Sequence, residues 1–262
     1  MRTLLLSATL LLASVAGAAE LTETIDKTFD VRAGANVVLT NVNGRITISS
    51  WDQPRVRVIA RKEVSGDRDE VKSALQELRV EMTPRAGGLV VTTHYPKQSE
   101  GIGSIFSWLA GDHIDAEVRY DVTVPRTMNV DVTNTNGGIK LSDVSGVLEL
   151  DTTNGKIEVE RAGGSLDAST TNGSIHAELL RVAKGQPLHF ETTNGRIELA
   201  VPANLGLDVD AATTNGSIST DLPVATTRTS SNSLRGTING GGMVVRLRTT
   251  NGGIAIRTAG KS

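Results

Sequence analysis

DTTNGKIEVERAGGSLDASTTNGSIHAEL, residues 151–179, states one phrase twice: Thr-Thr-Asn-Gly, one residue, then Ile. Aligning the chain on this phrase places Asn136, Asn154, Asn172, Asn194, Asn215 and Asn251 before a glycine, with Asn232 before Ser233 in a degraded copy. Successive spacings are 18, 18, 22, 21, 17 and 19 residues, and a period near 20 marks a repeat architecture. Apolar residues alternate on both sides of each asparagine. Ahead of it stand pairs such as Leu148/Leu150 and Leu188/Phe190, and behind it pairs such as Ile157/Val159 and Ile197/Leu199. Each repeat therefore holds two strands, each with one dry face.

Two architectures satisfy that pattern. Asn-Gly between alternating strands is the strongest short hairpin signal, because a type I′ turn needs positive φ at both central residues. An array of hairpins does not, however, require the same residue in every copy. A single-stranded β-solenoid (β-helix) with coils of about 20 residues does, since each position stacks on its equivalent about 4.8 Å away. The solenoid is the favoured reading. In it Asn136, Asn154, Asn172, Asn194, Asn215 and Asn251 form an internal ladder, pointing inward with the Thr two positions before, each amide bonded to the next. Gly then takes the backbone conformation that other residues resist.

Composition agrees with an all-β class. The chain has 262 residues, 27 Gly, no Cys, and only three Phe, two Tyr and two Trp. A formal charge of −2 points away from a nucleic-acid partner. The first residues read as an export signal, residues 1–19: Arg2, an apolar run from Leu4 to Val15, then Ala16-Gly17-Ala18-Ala19. Such a run is too short to span a bilayer, and no later stretch is long enough. The expected mature protein is exported, periplasmic or extracellular at the cell surface, without a transmembrane segment. Lacking cysteine, it has neither disulfides nor a thiol to lipidate.

Residues 20–125 are less regular than residues 126–262, which carry the serial repeats. An early copy surrounds Asn43-Gly44 with Ile46/Ile48 behind it. One short helix is expected over residues 67–78, with Val71, Ala74, Leu75 and Leu78 on one stripe, capping the irregular N-terminal part. Strands are expected near 79–83, 89–93 and 116–124. Within GIGSIFSWLAGDHI, residues 101–114, an apolar loop presents Ile105, Phe106 and Trp108, either as a lid over the end of the stack or as a contact for a partner.

The segments NVNGRITISSWD, RYDVTVP with VDVTNTNGGIKLSDVSG, the serial TTNG-x-I copies and GTINGGGMVVRLRTTNGGIAIR are carried by residues 29–258. In these the chain resembles a bacterial extracytoplasmic β-strand-repeat family, described as candidate adhesins and classed as a domain of unknown function. The resemblance implies a β-solenoid and an adhesive role. It supplies no catalytic residue.

A search for chemistry finds little. His94, His113, His176 and His189 show no metal-ligand spacing, and no cofactor motif appears. Asn239-Gly240-Gly241-Gly242 lacks the lysine of a phosphate loop. Asn172 and Asn215 open glycosylation sequons that inward amides could not use. Outward positions are more informative. Asp131, Glu149 and Asp167 stack five residues before their asparagines, either a Ca²⁺ site or a solvated acidic face. Arg246, Arg248 and Arg257 fall in a C-terminal stretch free of Asp and Glu, which reads as a basic end on an acidic rod if sequence order is spatial order. The leading function is a non-catalytic exported scaffold that contacts an envelope, glycan or protein partner. The alternatives are a polysaccharide-active β-helix enzyme, built loosely on Glu149, Asp151 and Asp167, and a periplasmic ligand-binding or signalling module.

Overall fold

The structure, a computed structural model, describes residues 4–14, 19–32, 34–66, 68–85, 88–95, 115–181 and 186–260. Apolar residues 105, 106 and 108, with His113, lie outside them. The N-terminal elements are β1 (Leu4–Ser14), β2 (Ala19–Asp30), β3 (Asn36–Thr40), β4 (Ile46–Trp51), β5 (Arg55–Gly66), α1 (Arg68–Glu77), β6 (Arg79–Arg85), β7 (Gly88–His94) and β8 (Asp115–Pro125). The repeats follow as β9 (Asn129–Asn136), β10 (Ile139–Ser142), β11 (Ser145–Asn154), β12 (Ile157–Asn172), β13 (Ile175–Arg181), β14 (Leu188–Asn194) and β15 (Ile197–Val201). Last come β16 (Leu207–Asn215), β17 (Ile218–Thr220), β18 (Val224–Ser230), β19 (Ser233–Ile238), β20 (Met243–Asn251) and β21 (Ile254–Thr258). All 21 strands join in one sheet.

Pairing between repeats is parallel and equivalent to equivalent. Ahead of the asparagine, Val130 faces Leu148, Leu148 faces Leu166, Leu166 faces Leu188, and Leu188 faces Val245. Behind it, Ile46, Ile139, Ile157, Ile175, Ile197 and Ile254 stack in the same way. The two strands that flank an Asn-Gly pair with neighbouring repeats and not with each other: β9 pairs with β3 and β11, and β10 with β4 and β12. A hairpin would pair them directly, so the hairpin array does not describe these copies. The alternation read from the sequence puts Val, Leu and Ile of both columns into one continuous core.

In two repeats a second corner stands seven residues after the asparagine. Asp143 (φ 62°) and Arg161 (φ 51°) take left-handed backbone there, and their side chains form an ion pair at 2.6 Å. β12 runs through this corner, so its 16 residues serve two successive layers.

The order of layers departs from the order of the sequence at both ends. β20 lies between β14 and β16, and β21 between β15 and β17. The last repeat is thus inserted beneath the one before it. Likewise β3 is held between β7 and β9, and β4 between β8 and β10, so β7 and β8 form a layer outside the first Asn-Gly repeat. Beyond these outer layers the pairing turns antiparallel: β6 on β7, and β5, β2 and β1 successively on β8, at one end. At the other end β19 pairs with β16 and β18 with β19. Asn232, counted above as a degraded repeat, sits in the turn of the β18–β19 hairpin. There the hairpin reading holds and the coil reading fails.

The helix occupies nearly the expected span. Val71, Ala74 and Leu75 are buried while Lys72, Ser73 and Gln76 are exposed, and this apolar stripe packs on β5 and β2. Near the same end a polar knot replaces part of the apolar interior. Thr93 Oγ1 donates to Asn41 Oδ1 at 2.8 Å and lies 2.6 Å from the Tyr120 hydroxyl, while Tyr95 donates to the Asn43 carbonyl at 2.9 Å. Burial pushes both phenols well above their ordinary range.

The inserted layer makes a prediction for hydrogen exchange. Amides of Ile254 and Ile256, held on both sides, should exchange only through global opening, whereas those of β18, paired on one side, should open locally and faster. Exchange from β21 as fast as from β18 would contradict the layer order.

Candidate functional site: the Asn-Gly corner and its flanking columns

At the first corner the side-chain amides are bonded in a row. Asn154 Nδ2 donates to Asn136 Oδ1, Asn172 to Asn154, Asn194 to Asn172, Asn251 to Asn194 and Asn215 to Asn251, each at 2.8 Å. Asn136 extends the row to Asn43 at 2.7 Å. The direction of the amides differs from the expectation. Asn154, Asn172, Asn194, Asn215 and Asn251 are exposed, and the buried member of each motif is the Thr two positions earlier. Burial therefore does not bar Asn172 and Asn215 from their sequons; the bonds in the row engage them. The inward Thr hydroxyls donate to the glycine carbonyl of an adjoining layer, as Thr170 does to Gly155 at 3.1 Å and Thr192 to Gly173 at 2.9 Å. Asn134 takes the Thr place in its layer, and its Oδ1 is buried without a partner.

The glycine is needed for a reason other than the expected one in most copies. Gly44 (φ 118°) and Gly137 (φ 140°) have the positive φ that L-residues resist. Gly173 and Gly195 do not. There a β-carbon would overlap the backbone carbonyl of the glycine one layer below, Gly155 and Gly173 respectively. The same closeness lets the corner itself carry the ladder, since Gly155 N donates to Asn172 O and Gly173 N to Asn194 O, both at 3.0 Å.

On the face before the corner, register aligns Asp131, Glu149 and Asp167 on adjacent strands and continues through His189 and Arg246 to Asp210. The three carboxylates stand side by side. Among the described residues no three His, Cys, Asp or Glu side chains converge on a point that could hold a metal ion. Loss of hydration pushes the Asp167 carboxyl above its ordinary value; His189 pulls it back, and Asp151 and Glu191 push it further up.

The basic residues near the C-terminus do not form the end of the stack. Their layer is the inserted one, and two of the three are paired: Arg248 with Asp210 and Arg257 with Glu198, both at 2.8 Å. Burial raises the Asp210 carboxyl, but Arg248 and Arg235 outweigh it and hold the group below its usual value. Arg246, exposed, lies between His189 and Asp210 in register. The reading of a basic end on an acidic rod is corrected, because it took sequence order for spatial order.

Sequence reasoning passed over a further column, two residues after the asparagine. Arg45, Lys156 and Arg196 occupy it and are exposed. Aligning the copies at that position would have found them. Lys156 Nζ donates to Glu158 at 2.9 Å and holds that carboxyl down to about 2.

The sequence profile named Toastrack DUF4097 matches residues 35–257. The chain belongs to the Toastrack DUF4097 family. The Toastrack match begins just before β3 and ends within β21. Among solved structures, a proposed cell adhesion protein from Clostridium sporogenes ATCC 15579 shares 11% identity at a TM-score of 0.47, over 89% of this chain and 98% of that one. A proposed adhesin from Bacteroides fragilis NCTC 9343 shares 10% identity at a TM-score of 0.41, over 89% of this chain and 96% of that one. No curated protein matches this Toastrack chain.

Three substitutions test the corner. Replacing Asn172 by Ala deletes two exposed amide bonds and should cost about 1 kcal/mol in chemical denaturation, while Thr171→Ala, at an exposed hydroxyl, should cost almost nothing. Gly173→Ala forces a β-carbon against backbone and should cost roughly 2 kcal/mol or more. Losses at Gly173 no larger than at Thr171 would mean the layers are further apart than described.

Asp167 gives a pH test. A carboxyl whose folded pKa is raised binds its proton more tightly in the native state, so its ionisation opposes folding. Stability from this site is greatest below the unfolded pKa and falls as pH rises through the folded one. Asp167→Asn should therefore raise the Tm at pH 7, and the gain should disappear at a pH below the carboxylate range. A variant that melts lower than the parent at pH 7 would show that Asp167 makes a favourable contact instead.

Proposed function

We propose that this Toastrack protein is a non-catalytic exported scaffold, a β-solenoid with coils of about 20 residues that presents its outer columns to another component of the bacterial envelope. The observation that carries the reading is how its polar side chains are arranged. They run as columns set by strand register, and the carboxylates of the acidic face lie beside one another along it. A glycosidase needs two carboxyl groups on opposite sides of a bound sugar. Glu149, Asp151 and Asp167 share one face, which favours a surface for contact over a site for hydrolysis.

Export is proposed from the first 19 residues, whose charge, apolar run and small residues have the form of a signal. No helix among the described residues is long and apolar enough to cross a membrane. Removal of the signal would take away β1 and leave β2, with its Glu23–Lys62 ion pair to β5, as the outer strand of that end.

Two measurements test this reading. Sequencing the N-terminus of protein recovered from the cell envelope should find a start between Ala18 and Glu20; retention of Met1 would remove export. Incubation with arrays of glycans and envelope components should give binding, with no product released from any polysaccharide. Release of sugar that is lost in Glu149→Gln would establish the enzyme instead.

A further inference from the structure

The Asn-Gly corners, put in spatial order, carry a pattern that their order in the chain hides. Along the stack, from Val42 to Ser217, they read VNGR, TNGG, TNGK, TNGS, TNGR, TNGG and TNGS. No Asp or Glu occurs at any of these positions, in a chain that has 29 of them. Acids flank the middle of the strip on both sides, Asp151 and Glu191 before the corner and Glu158 and Glu198 after it, in columns that also hold Ser169 and Arg248 on the one side and Lys140 and His176 on the other.

From Arg45 to Arg196 the fourth column alternates over five layers; past Arg196 it continues as Gly253 and Ser217, and on the other side of Arg45 the adjoining strand β8 brings Arg119 alongside. Backbone bonds fix its order: Ile46 N donates to Gly138 O, Ile139 N to Lys156 O, Ile157 N to Ser174 O and Ile175 N to Arg196 O, at 2.9–3.0 Å. Arg45, Lys156 and Arg196 are therefore separated by one layer each, occupied by Gly138 and by Ser174. The cations recur at twice the strand spacing, about 10 Å. All three are exposed. Lys156 is shared with Glu158, whereas no ion pair of Arg45 or Arg196 is found among the described residues. Where Gly138 leaves a gap beside Arg45, the surface sinks into an open concavity of about 500 Å³ lined by Gly44, Gly137 and Gly138 together with the Arg119–Glu117 ion pair of β8. Beside the cations run the exposed hydroxyls of Thr153, Thr171 and Thr193 and the exposed amides of the Asn row, each able to bond outward.

We propose that this corner strip binds a linear polysaccharide bearing a carboxylate on every second sugar, laid along the stack axis. The proposal rests on the scaffold reading above and names its partner. An extended chain running from the Lys156 layer to the Arg196 layer meets the same exposed hydroxyl and amide at every strand spacing, and over the five layers from Arg45 to Arg196 it meets a cation at every second one. The acidic flanks repel a polyanion that strays from the strip, which confines it to one track. No aromatic side chain stands in the strip to stack on a neutral sugar, so charge and hydrogen bonding supply the recognition.

The test uses the full exported chain and three probe polymers: hyaluronan, with a carboxylate on every second sugar, polygalacturonate, with one on every sugar, and uncharged dextran. Calorimetry at low salt should give binding to hyaluronan that weakens as salt is raised and none to dextran. The variant R45Q/K156Q/R196Q, exposed at every position, should melt as the parent does and lose affinity by about tenfold or more. A control of equal charge change elsewhere, R55Q/R79Q/R85Q, should bind as the parent. The proposal is overturned if the strip variant binds hyaluronan as tightly as the parent, if polygalacturonate binds more tightly per carboxylate, or if none of the charged polymers binds. Array binding that survives in the strip variant would leave the scaffold in place and remove only this surface. Degradation of a probe would remove the scaffold reading itself.

Discussion

Everything in this molecule depends on how closely one Asn-Gly corner can sit on the next. Parallel strands stack at a fixed spacing only if the chain linking them repeats at that spacing too, and a bend is the hardest place to keep it. Here the bend is a continuation of the sheet. Its backbone N–H groups bond to the layer above, and its side-chain amides form a parallel row of the same period. A β-carbon on the glycine would strike the carbonyl beneath it. The absence of that one atom lets the corner stay in step with the strands.

From that constraint follow the flat faces and the regular columns. Once layers are in register, any residue type recurring at one position becomes a line of identical chemistry. Val, Leu and Ile make the core lines and Thr the inner polar line. The charged positions make outer lines of either sign. The scaffold reading proposed above draws on this spread of polar chemistry along the stack.

The ends need a different solution, because a parallel stack leaves unpaired strand edges that invite association. At both ends the chain folds back past its own earlier layer and then pairs antiparallel. The inserted C-terminal repeat also places arginines beside Asp210 and Glu198, so charges that look unbalanced in the linear sequence are balanced in space.

The repeat, its two strands, the dry faces and the helix stripe were legible in the sequence, because alternation and periodicity are local properties that each residue carries with it. So was the equivalence of the asparagines, since only stacking of like on like demands the same residue every time. The sequence did not determine which side of the corner the amide faces. That depends on the path of the bend, and the bend puts Thr inside and Asn outside. Nor did it determine the order of layers. Any two repeats with matching Leu and Ile positions can pair, so register is written into every copy while adjacency is not. Only the tertiary structure decided that residues 243–258 lie beneath residues 207–220, because matching Val, Leu and Ile positions let that repeat pair on both sides with layers distant in sequence.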